Sequence, residues 1–287
     1  ASEEVSLSEV NGAYEQLMAG TNKSRGIFIN YVSDRTLDEK SRKIIQLSSS
    51  PVSGKIRLAI IGAGSFVREM HLPNLEKLRD QVEISAFVTK KGANAMELAQ
   101  HYGVEHASTS LDDMLDSVAF DAVLIGTRHD KHTEITLKCL KAGKHVLVEK
   151  PLAITWYELN QIKEFYNSYS EQDFPLLMTG FNRRFSPFIE KINEYINNRS
   201  TPLVMNYQIN TKRLEKDHWQ RSDEGGGRNL GEACHIYDLF TFLSNAEVDH
   251  VSASSIISGD ESFGSNENFS VTIRFKDGCI GNLTYTS

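Results

Sequence analysis

The stretch HVLVEKPLAIT, residues 145–155, ends an apolar run with two opposite charges and a proline. Lys150 at the end of a buried strand can hold a positive charge at the mouth of a site, although an exposed strand end closed by a turn is the simpler explanation. Adjacent strand residues point to opposite sides, so we expect Glu149 to brace the loop and not to pair with Lys150. Pro151 fixes φ and can take a cis peptide bond, which would aim Lys150 across the sheet edge.

A second set of ionisable residues follows the glycine run at 225–227. Glu232, His235 and Asp238 are spaced i, i+3 and i+6, which places them on an arc of roughly 120° of one helix. A histidine that borders an apolar helix face is more often a core residue than a catalyst. Three ionisable groups on one arc after a flexible segment nonetheless favour a site, with His235 as the candidate acid or base.

The segment AIIGAGSFV, residues 59–67, is typical of a dinucleotide-binding turn. Gly62 and Gly64 follow a strand, where they permit a tight turn and let backbone N–H groups approach a pyrophosphate at a helix N-terminus. We count Ser65 and Phe66 with this cofactor-binding loop. Val67 stands where the third glycine of the motif is usual, so we expect the helix to lie somewhat further from the strand.

The end of the next strand, FVTKK, bears on the choice of cofactor. An NAD-binding chain usually has an acidic residue here for the ribose 2′-hydroxyl, but Thr89, Lys90 and Lys91 occupy these positions. A hydroxyl and two cations suit a 2′-phosphate, which favours NADP over NAD. The alternative, that the two lysines lie in a solvated loop, leaves NAD open.

A loop with two histidines follows a later strand, in GTRHDKHTEITLKCL, residues 126–140. His129 and His132 could coordinate a metal, but no cysteine or carboxylate lies at ligand spacing, and we predict no metal site. We interpret the pair as lining a cofactor or substrate site, with Asp130 as a helix N-cap. The cofactor-binding residues predicted in this loop are Thr127, Arg128, His129 and His132.

The elements that must position these residues alternate between strand and helix from Lys55 onward. Four such alternations predict βαβ units and a mostly parallel, doubly wound sheet covered on both faces. After residue 176 longer strands indicate a second, α+β domain with a mostly antiparallel open sheet, and FKDGCIGNLTYT reads as a hairpin around Gly278. The sequence ends within a predicted strand, so we expect this domain to be incomplete. The predicted segments are a tail at 1–31, a linker at 32–54, a Rossmann domain at 55–176 and a substrate and oligomerisation domain at 177–287.

Composition narrows the class of protein. A net charge of −7 over 287 residues, without a block of Lys or Arg, argues against nucleic acid as a partner. Three widely spaced cysteines fit no disulfide framework, and no stretch approaches the ~20 apolar residues of a membrane span. We expect a cytoplasmic enzyme.

Four motifs together resemble the glucose-fructose oxidoreductase, inositol dehydrogenase and rhizopine-catabolism (Gfo/Idh/MocA) oxidoreductases. AIIGAG, AGKHVLVEKPLAIT, TGFNRRFSP and GGGRNLGEACHIYDL occur in the order and spacing of that family, over most of the chain from about Lys55. The resemblance implies that Lys150 faces the nicotinamide and substrate and that His235 is a catalytic acid or base. It also implies cofactor contacts by Glu149 and Lys150 and a homo-oligomer formed through the C-terminal sheet.

Two positions depart from the family pattern. The aspartate that the family places four residues before the helix histidine falls on Gly231, so Glu232 or Asp238 would have to substitute for it. The asparagine of the family's T-P-N-x-x-H loop falls on His129, which leaves His132 as the matching histidine.

Residues 1–31 resemble a different family, the C-terminal end of zinc-dependent medium-chain dehydrogenases. The resemblance rests on a helical pattern followed by an RGI-hydrophobic strand. It implies that the sequence begins inside a longer two-enzyme polypeptide.

The predicted reaction is hydride transfer between NAD or NADP and a hydroxyl or keto carbon of a sugar or nucleotide sugar. Such a reaction needs a base near the working pH, and histidine starts much closer to it than lysine does, so we assign proton transfer to His235 and polarisation to Lys150. Two alternatives stay open: an NAD-dependent glycosidase that oxidises and eliminates, and a dinucleotide-binding module without catalysis. The predicted substrate contacts are Arg183, Trp219, Arg228, Glu232 and Asp238.

Overall fold

The computed structural model describes residues 3–6, 9–21, 27–30, 44–46, 54–168, 174–257 and 266–287. The chain divides into two compact units, Ala1–Arg42 and Lys43–Ser287. In the first unit, β1 (Glu3–Ser6) and β2 (Ile27–Asn30) pair in parallel and α1 (Val10–Met18) connects them. The helix and strand expected near residues 1–31 are therefore present.

The second unit begins with a Rossmann sheet of seven strands, which confirms the predicted doubly wound α/β architecture. In chain order the strands are β3 (Ile44–Gln46), β4 (Ile56–Ile61), β5 (Val82–Val88), β6 (His106–Ser108), β7 (Ala122–Ile125), β8 (His145–Val148) and β9 (Leu177–Thr179). The sheet order is β3-β6-β5-β4-β7-β8-β9, and every pairing except β3 with β6 is parallel. Strand β3 lies inside the segment 32–54 that was predicted as a linker, most of which is outside the described residues.

Helices cover both faces of this sheet. They are α2 (Leu72–Lys77), which continues a π-helical turn at Val67–His71, and α3 (Gly92–Tyr102), α4 (Leu111–Ser117), α5 (His132–Lys141) and α6 (Trp156–Asn167). One buried cluster packs β4, β5, β7 and β8 against α4, α5 and α6, and a second packs the other side of the sheet against α2 and α3. The apolar strand runs read from the sequence are thus buried on two sides, as parallel strands require.

The C-terminal domain is a mixed sheet with one helix against it. A 3₁₀ turn at Asn182–Phe185 leads to α7 (Pro187–Ile196), and a π-helical turn at Asn229–Ala233 runs into α8 (Cys234–Ser244). The strands β10 (Val204–Asn210), β11 (Val248–Ser255), β12 (Phe269–Phe275) and β13 (Ile280–Thr286) have the order β10-β13-β12-β11. Only β10 with β13 is parallel, so the mostly antiparallel sheet and the hairpin at Gly278 are confirmed. Buried residues of α8 pack on the sheet and fix the helix that carries His235.

Val67 has a packing role at the turn after β4. Its side chain is 1% exposed, and a Cβ added to Gly126 would lie 2.2 Å from Val67 Cγ2. The absence of a side chain at Gly126, on the neighbouring strand end, therefore makes room for the valine that replaces the third glycine of the motif.

We predict that Gly126→Ala destabilises the second unit by about 1–3 kcal/mol, because the new methyl group overpacks the contact with Val67. Adding Val67→Ala should relieve the clash, so the double variant should lose clearly less free energy of unfolding than the two single losses added together. Urea unfolding of the three variants measures this coupling. Gly92→Ala is the control, since its Cβ would meet only an ordinary contact at 3.5 Å; additive losses at Gly126 and Val67 would contradict the account.

Candidate active site

Lys150 lies at the carboxyl end of β8, in the loop that leads to α6 within the Rossmann domain. The Lys150–Pro151 peptide bond is cis. The half-buried ammonium Nζ donates a hydrogen bond to the backbone oxygen of Gly231, 2.6 Å away in the π-helical turn before α8. An exposed strand end closed by a turn is therefore not a sufficient description of this stretch. The lysine also links the end of β8 to the π-helical turn that leads into α8.

Glu149 faces away from Lys150, as expected for adjacent strand residues. Its Oε1 lies 2.6 Å from Nε2 of His71, which comes from the π-helical turn after the glycine loop. A Cβ added to Gly180 would lie 2.9 Å from the same carboxylate oxygen. Glu149 thus joins the first turn of the Rossmann domain to the end of β8, and Gly180 leaves space for it. Nothing in the sequence pointed to His71.

His235 lies on the first turn of α8 and is 7% exposed. Its Nδ1 is enclosed and has no hydrogen-bond partner, and its ring meets the edge of Phe181 at a centroid distance of 6.1 Å. Burial lowers the pKa of His235 to about 4, and the positive charges of Lys150 and Arg183 add to the shift. The imidazole is therefore neutral at pH 7 and can accept a proton.

The two carboxylates predicted to flank His235 have other partners. Arg184 donates two hydrogen bonds to Asp238, one of them from Nε at 2.6 Å. Glu232 accepts a hydrogen bond from Arg228 at 2.6 Å and another from the Tyr285 hydroxyl. The expectation that Glu232 or Asp238 substitutes for the family aspartate beside His235 is wrong, because both are bound elsewhere.

Arg228 is a structural residue, and its predicted contact with substrate is not supported. It is 4% exposed and donates to Glu232, to Tyr285 Oη at 3.1 Å and to the backbone of Lys212. Its guanidinium ties the start of the π-helical turn to the sheet. Arg183 differs, since it is half-buried and makes no hydrogen bond or ion pair with a carboxylate among the described residues.

Trp219 is packed against the loop after β7. The Arg128 guanidinium carbon lies 4.1 Å from the centroid of its ring, and the His129 ring meets it edge-on at 4.7 Å. His129 Nδ1 lies 2.8 Å from the backbone oxygen of Gly225 and donates to it. Burial lowers the pKa of His129 to about 4. One face of the indole is thus already occupied by Arg128.

His132 lies behind the site. It is 1% exposed, with Nδ1 2.7 Å from the oxygen of Pro151 and Nε2 3.2 Å from the oxygen of Thr127. Its burial leaves no atom for a ligand, so it holds the two loops in place and the predicted cofactor contact is not supported.

Asp130 makes no side-chain cap, and its Oδ1 is buried without a hydrogen-bond partner, so the N-cap prediction is wrong.

The glycine loop lies at the same edge of the sheet. Gly62 has φ +81°, and a Cβ there would lie 2.6 Å from Thr127 Cγ2 and 2.8 Å from the Gly126 oxygen. Gly64, Ser65 and Phe66 are exposed. The glycine turn is therefore packed closely against the end of β7, with Thr127 beside it.

The residues after β5 are divided between a buried hydroxyl and two exposed cations. Thr89 is 8% exposed and donates through Oγ1 to the backbone oxygen of Lys91 at 2.7 Å, while the side chains of Lys90 and Lys91 are exposed. The threonine shapes the turn, and the lysines are free to reach a phosphate.

Within the described ranges no three His, Cys, Asp or Glu residues are placed to hold a metal ion, and no helix is long and apolar enough to cross a membrane.

The sequence is similar to those of known proteins over both domains of the second unit. Residues 56–174 match the model of the oxidoreductase family with an NAD-binding Rossmann fold, and residues 201–287 match the GFO/IDH/MocA C-terminal domain. The chain is 36% identical over 144 residues to 4-carboxy-2-hydroxymuconate-6-semialdehyde dehydrogenase of Sphingobium, which covers 50% of this chain and 42% of the relative. It is 27% identical to myo-inositol 2-dehydrogenase of Thermotoga maritima, over 79% of this chain and 67% of the relative.

Solved structures agree with the sequence matches. A crystal structure of an oxidoreductase from Thermotoga maritima superimposes with a TM-score of 0.68 at 26% identity, covering 81% of this chain and 72% of that one. The matches therefore include both domains that contribute residues to the site, the Rossmann domain and the C-terminal domain. The chain belongs to the Gfo/Idh/MocA oxidoreductase family.

Proposed function

We propose that this protein is an NAD(P)-dependent oxidoreductase that transfers a hydride between a nicotinamide and a hydroxyl or keto carbon of a sugar-like molecule. The observation that carries the proposal is the convergence of Lys150 and His235: the lysine binds the Gly231 carbonyl one helical turn before the histidine, and its charge acts on the histidine ring. Both domains contribute to this pair, at the sheet edge that also holds the glycine loop.

The cofactor cradle that we propose uses exposed backbone and side chains of the carboxyl edge. The turn at Gly62 and Gly64 would hold the pyrophosphate, where a side chain at Gly62 would collide with Thr127. When bound, the nicotinamide supplies the acceptor or donor of the hydride. Glu149, fixed by His71, and Arg128, fixed by Trp219, border the same region. The remaining cofactor contacts proposed are Ser65, Phe66, Thr89, Lys90, Lys91, Thr127 and His129.

The two catalytic residues have different roles. His235 is neutral at pH 7, with an enclosed Nδ1, so Nε2 is the nitrogen that can take the hydroxyl proton of the substrate. Lys150 is held by a carbonyl oxygen that accepts one of its three N–H bonds, which leaves the others to polarise the substrate oxygen. The charge of Lys150 also disfavours the imidazolium, so His235 readily passes on a proton that it has taken.

A ring polyol or sugar is the substrate class that the comparisons favour. One relative is named for myo-inositol, and two others from Bacillus subtilis are named as scyllo-inositol dehydrogenases that use NADP⁺ and NAD⁺. Arg183 and the free face of Trp219 are the substrate contacts that we propose. Arg228, Glu232 and Asp238 would act only by positioning, because their polar atoms are engaged with the protein.

The absence of a carboxylate beside His235 is the observation that favours the second candidate, a dinucleotide-binding module without catalysis. Sugar-dependent change in the absorbance of the reduced nicotinamide separates the two functions. A stoichiometric release of reduced cofactor argues against the glycosidase alternative.

Further proposals concern the whole polypeptide. We propose a homo-oligomer formed through the C-terminal sheet, where Val204 and Val251 are 68% and 52% exposed. The medium-chain dehydrogenase origin of residues 1–31, the four predicted segments of the chain and a cytoplasmic location also stand as proposals.

Replacement of either catalytic residue should abolish most turnover. We expect Lys150→Ala and His235→Ala each to lower kcat by about 10²–10⁴-fold, with the dissociation constant for the cofactor changed less than about threefold, because neither side chain supports the glycine loop. Steady-state kinetics with a polyol panel and fluorescence titration with NADH and NADPH measure the two effects. Lys141→Ala, an exposed lysine of α5, is the control, and wild-type turnover in either active-site variant would refute the assignment.

The cofactor preference should depend on the lysines after β5. We expect Lys90→Gln combined with Lys91→Gln to weaken NADPH binding by at least about tenfold, since two charges that can reach the 2′-phosphate are lost, and to leave NADH binding almost unchanged. Titration of the same preparation with both nucleotides gives the ratio. Equal weakening of NADPH binding and NADH binding would show that the two lysines do not bind the 2′-phosphate.

A further inference from the structure

Three carboxylates around the site are committed to partners within the protein. Glu149 binds His71, Asp238 binds Arg184, and Glu232 binds Arg228 and Tyr285. None of these carboxylates is among the causes of the His235 pKa shift. The local field at the histidine is therefore set by cations.

Two cations at the site have no carboxylate partner among the described residues. Lys150 donates to the neutral carbonyl of Gly231, and Arg183 has no ion pair. The position of Arg183 is fixed by its own turn: Phe181 contacts the His235 ring, and Arg184 is anchored to Asp238, three residues after that histidine on α8. Arg183 lies in the same 3₁₀ turn as Arg184, and its charge acts on the His235 ring.

The charges of Lys150 and Arg183 act on neighbouring ionisable groups. Lys150 and Arg183 both lower the pKa of His235, after the larger effect of burial, and both also act on the thiol of Cys234. An oxidised nicotinamide would add a third positive charge. Partly buried like charges without counterions are costly, so a bound anion would relieve their repulsion.

We propose that the substrate carries a carboxylate, which the Arg183 guanidinium binds while Lys150 and His235 face the reacting hydroxyl. A guanidinium can donate two parallel hydrogen bonds to the two oxygens of a carboxylate, a geometry that an ammonium lacks. The enclosed and unpartnered Nδ1 of His235, in a side chain that is 7% exposed, shows that the pocket wall supplies the histidine with no acceptor of its own. The substrate class is then a sugar acid or other hydroxy acid, and this inference rests on the proposed function.

A competing explanation is that both cations serve only the alkoxide that forms as the hydroxyl proton leaves. That explanation predicts equal binding of acids and their neutral counterparts in the ground state. Arg183 as a carboxylate ligand predicts a ground-state difference that disappears when the guanidinium is removed.

The test compares matched pairs of ligands on the cofactor-loaded protein. D-glucuronate and D-glucose, D-galacturonate and D-galactose, and D-gluconate and D-glucitol differ by one carboxylate, and isothermal titration calorimetry gives their dissociation constants. We expect at least one acid to bind about tenfold or more tightly than its neutral counterpart. Arg183→Gln should remove that preference, Arg183→Lys should keep part of it, and Lys191→Gln should keep all of it, since Lys191 is 63% exposed on α7.

The inference is overturned if no acid is preferred, if no ligand of the panel binds, or if the preference survives Arg183→Gln. Turnover of the same compounds, measured in parallel, separates this inference from the proposed function. Oxidation of neutral sugars without any preference for acids would leave the oxidoreductase proposal standing and remove the carboxylate site. Binding of acids that depends on Arg183 but gives no turnover would support the carboxylate site and argue against the oxidoreductase proposal.

Discussion

The hydrogen bond from the Lys150 ammonium to the Gly231 carbonyl, 2.6 Å long, joins the two halves of the site. It connects the end of a Rossmann strand with the π-helical turn that leads into the helix of His235. Because the acceptor is a neutral carbonyl, the lysine keeps its full charge within reach of the histidine. The position of the base depends on this contact, and the charge that the lysine holds there adds to the effect of burial on the pKa of His235.

The carboxylates of the site have structural roles. The Arg184–Asp238 pair fixes the turn after β9 to α8, and Arg228 with Glu232 and Tyr285 fixes the start of the same helix to the sheet. Such buried pairs are costly to break, since the loss of one partner leaves an unpaired charge. The acids therefore hold the helix in place, and Lys150 and Arg183 have no carboxylate partner among the described residues.

Local pattern predicted the features that depend on local sequence. The strand, turn and helix at Gly62, the hairpin at Gly278 and the strand end at Lys150 all follow from the order of residue types nearby. The pairing of charges could not be predicted in the same way. Glu149 meets His71, 78 residues earlier, and Glu232 meets Tyr285, 53 residues later. Helical spacing therefore placed Glu232 and His235 in one site, although contacts between distant parts of the chain give Glu232 other partners. Arg228, which was predicted to contact substrate, likewise meets Tyr285, 57 residues later.

The central claim, that burial and the charge of Lys150 together lower the pKa of His235, the proposed proton acceptor, is tested most directly by an NMR titration of the His235 ring in ¹⁵N-histidine-labelled protein. The account predicts a pKa of about 4 in the wild-type protein. In Lys150→Met the pKa should rise but remain below the ordinary value of about 6.5, because burial is the larger cause of the shift. A wild-type pKa near 6.5, or a value that Lys150→Met leaves unchanged, would contradict the account.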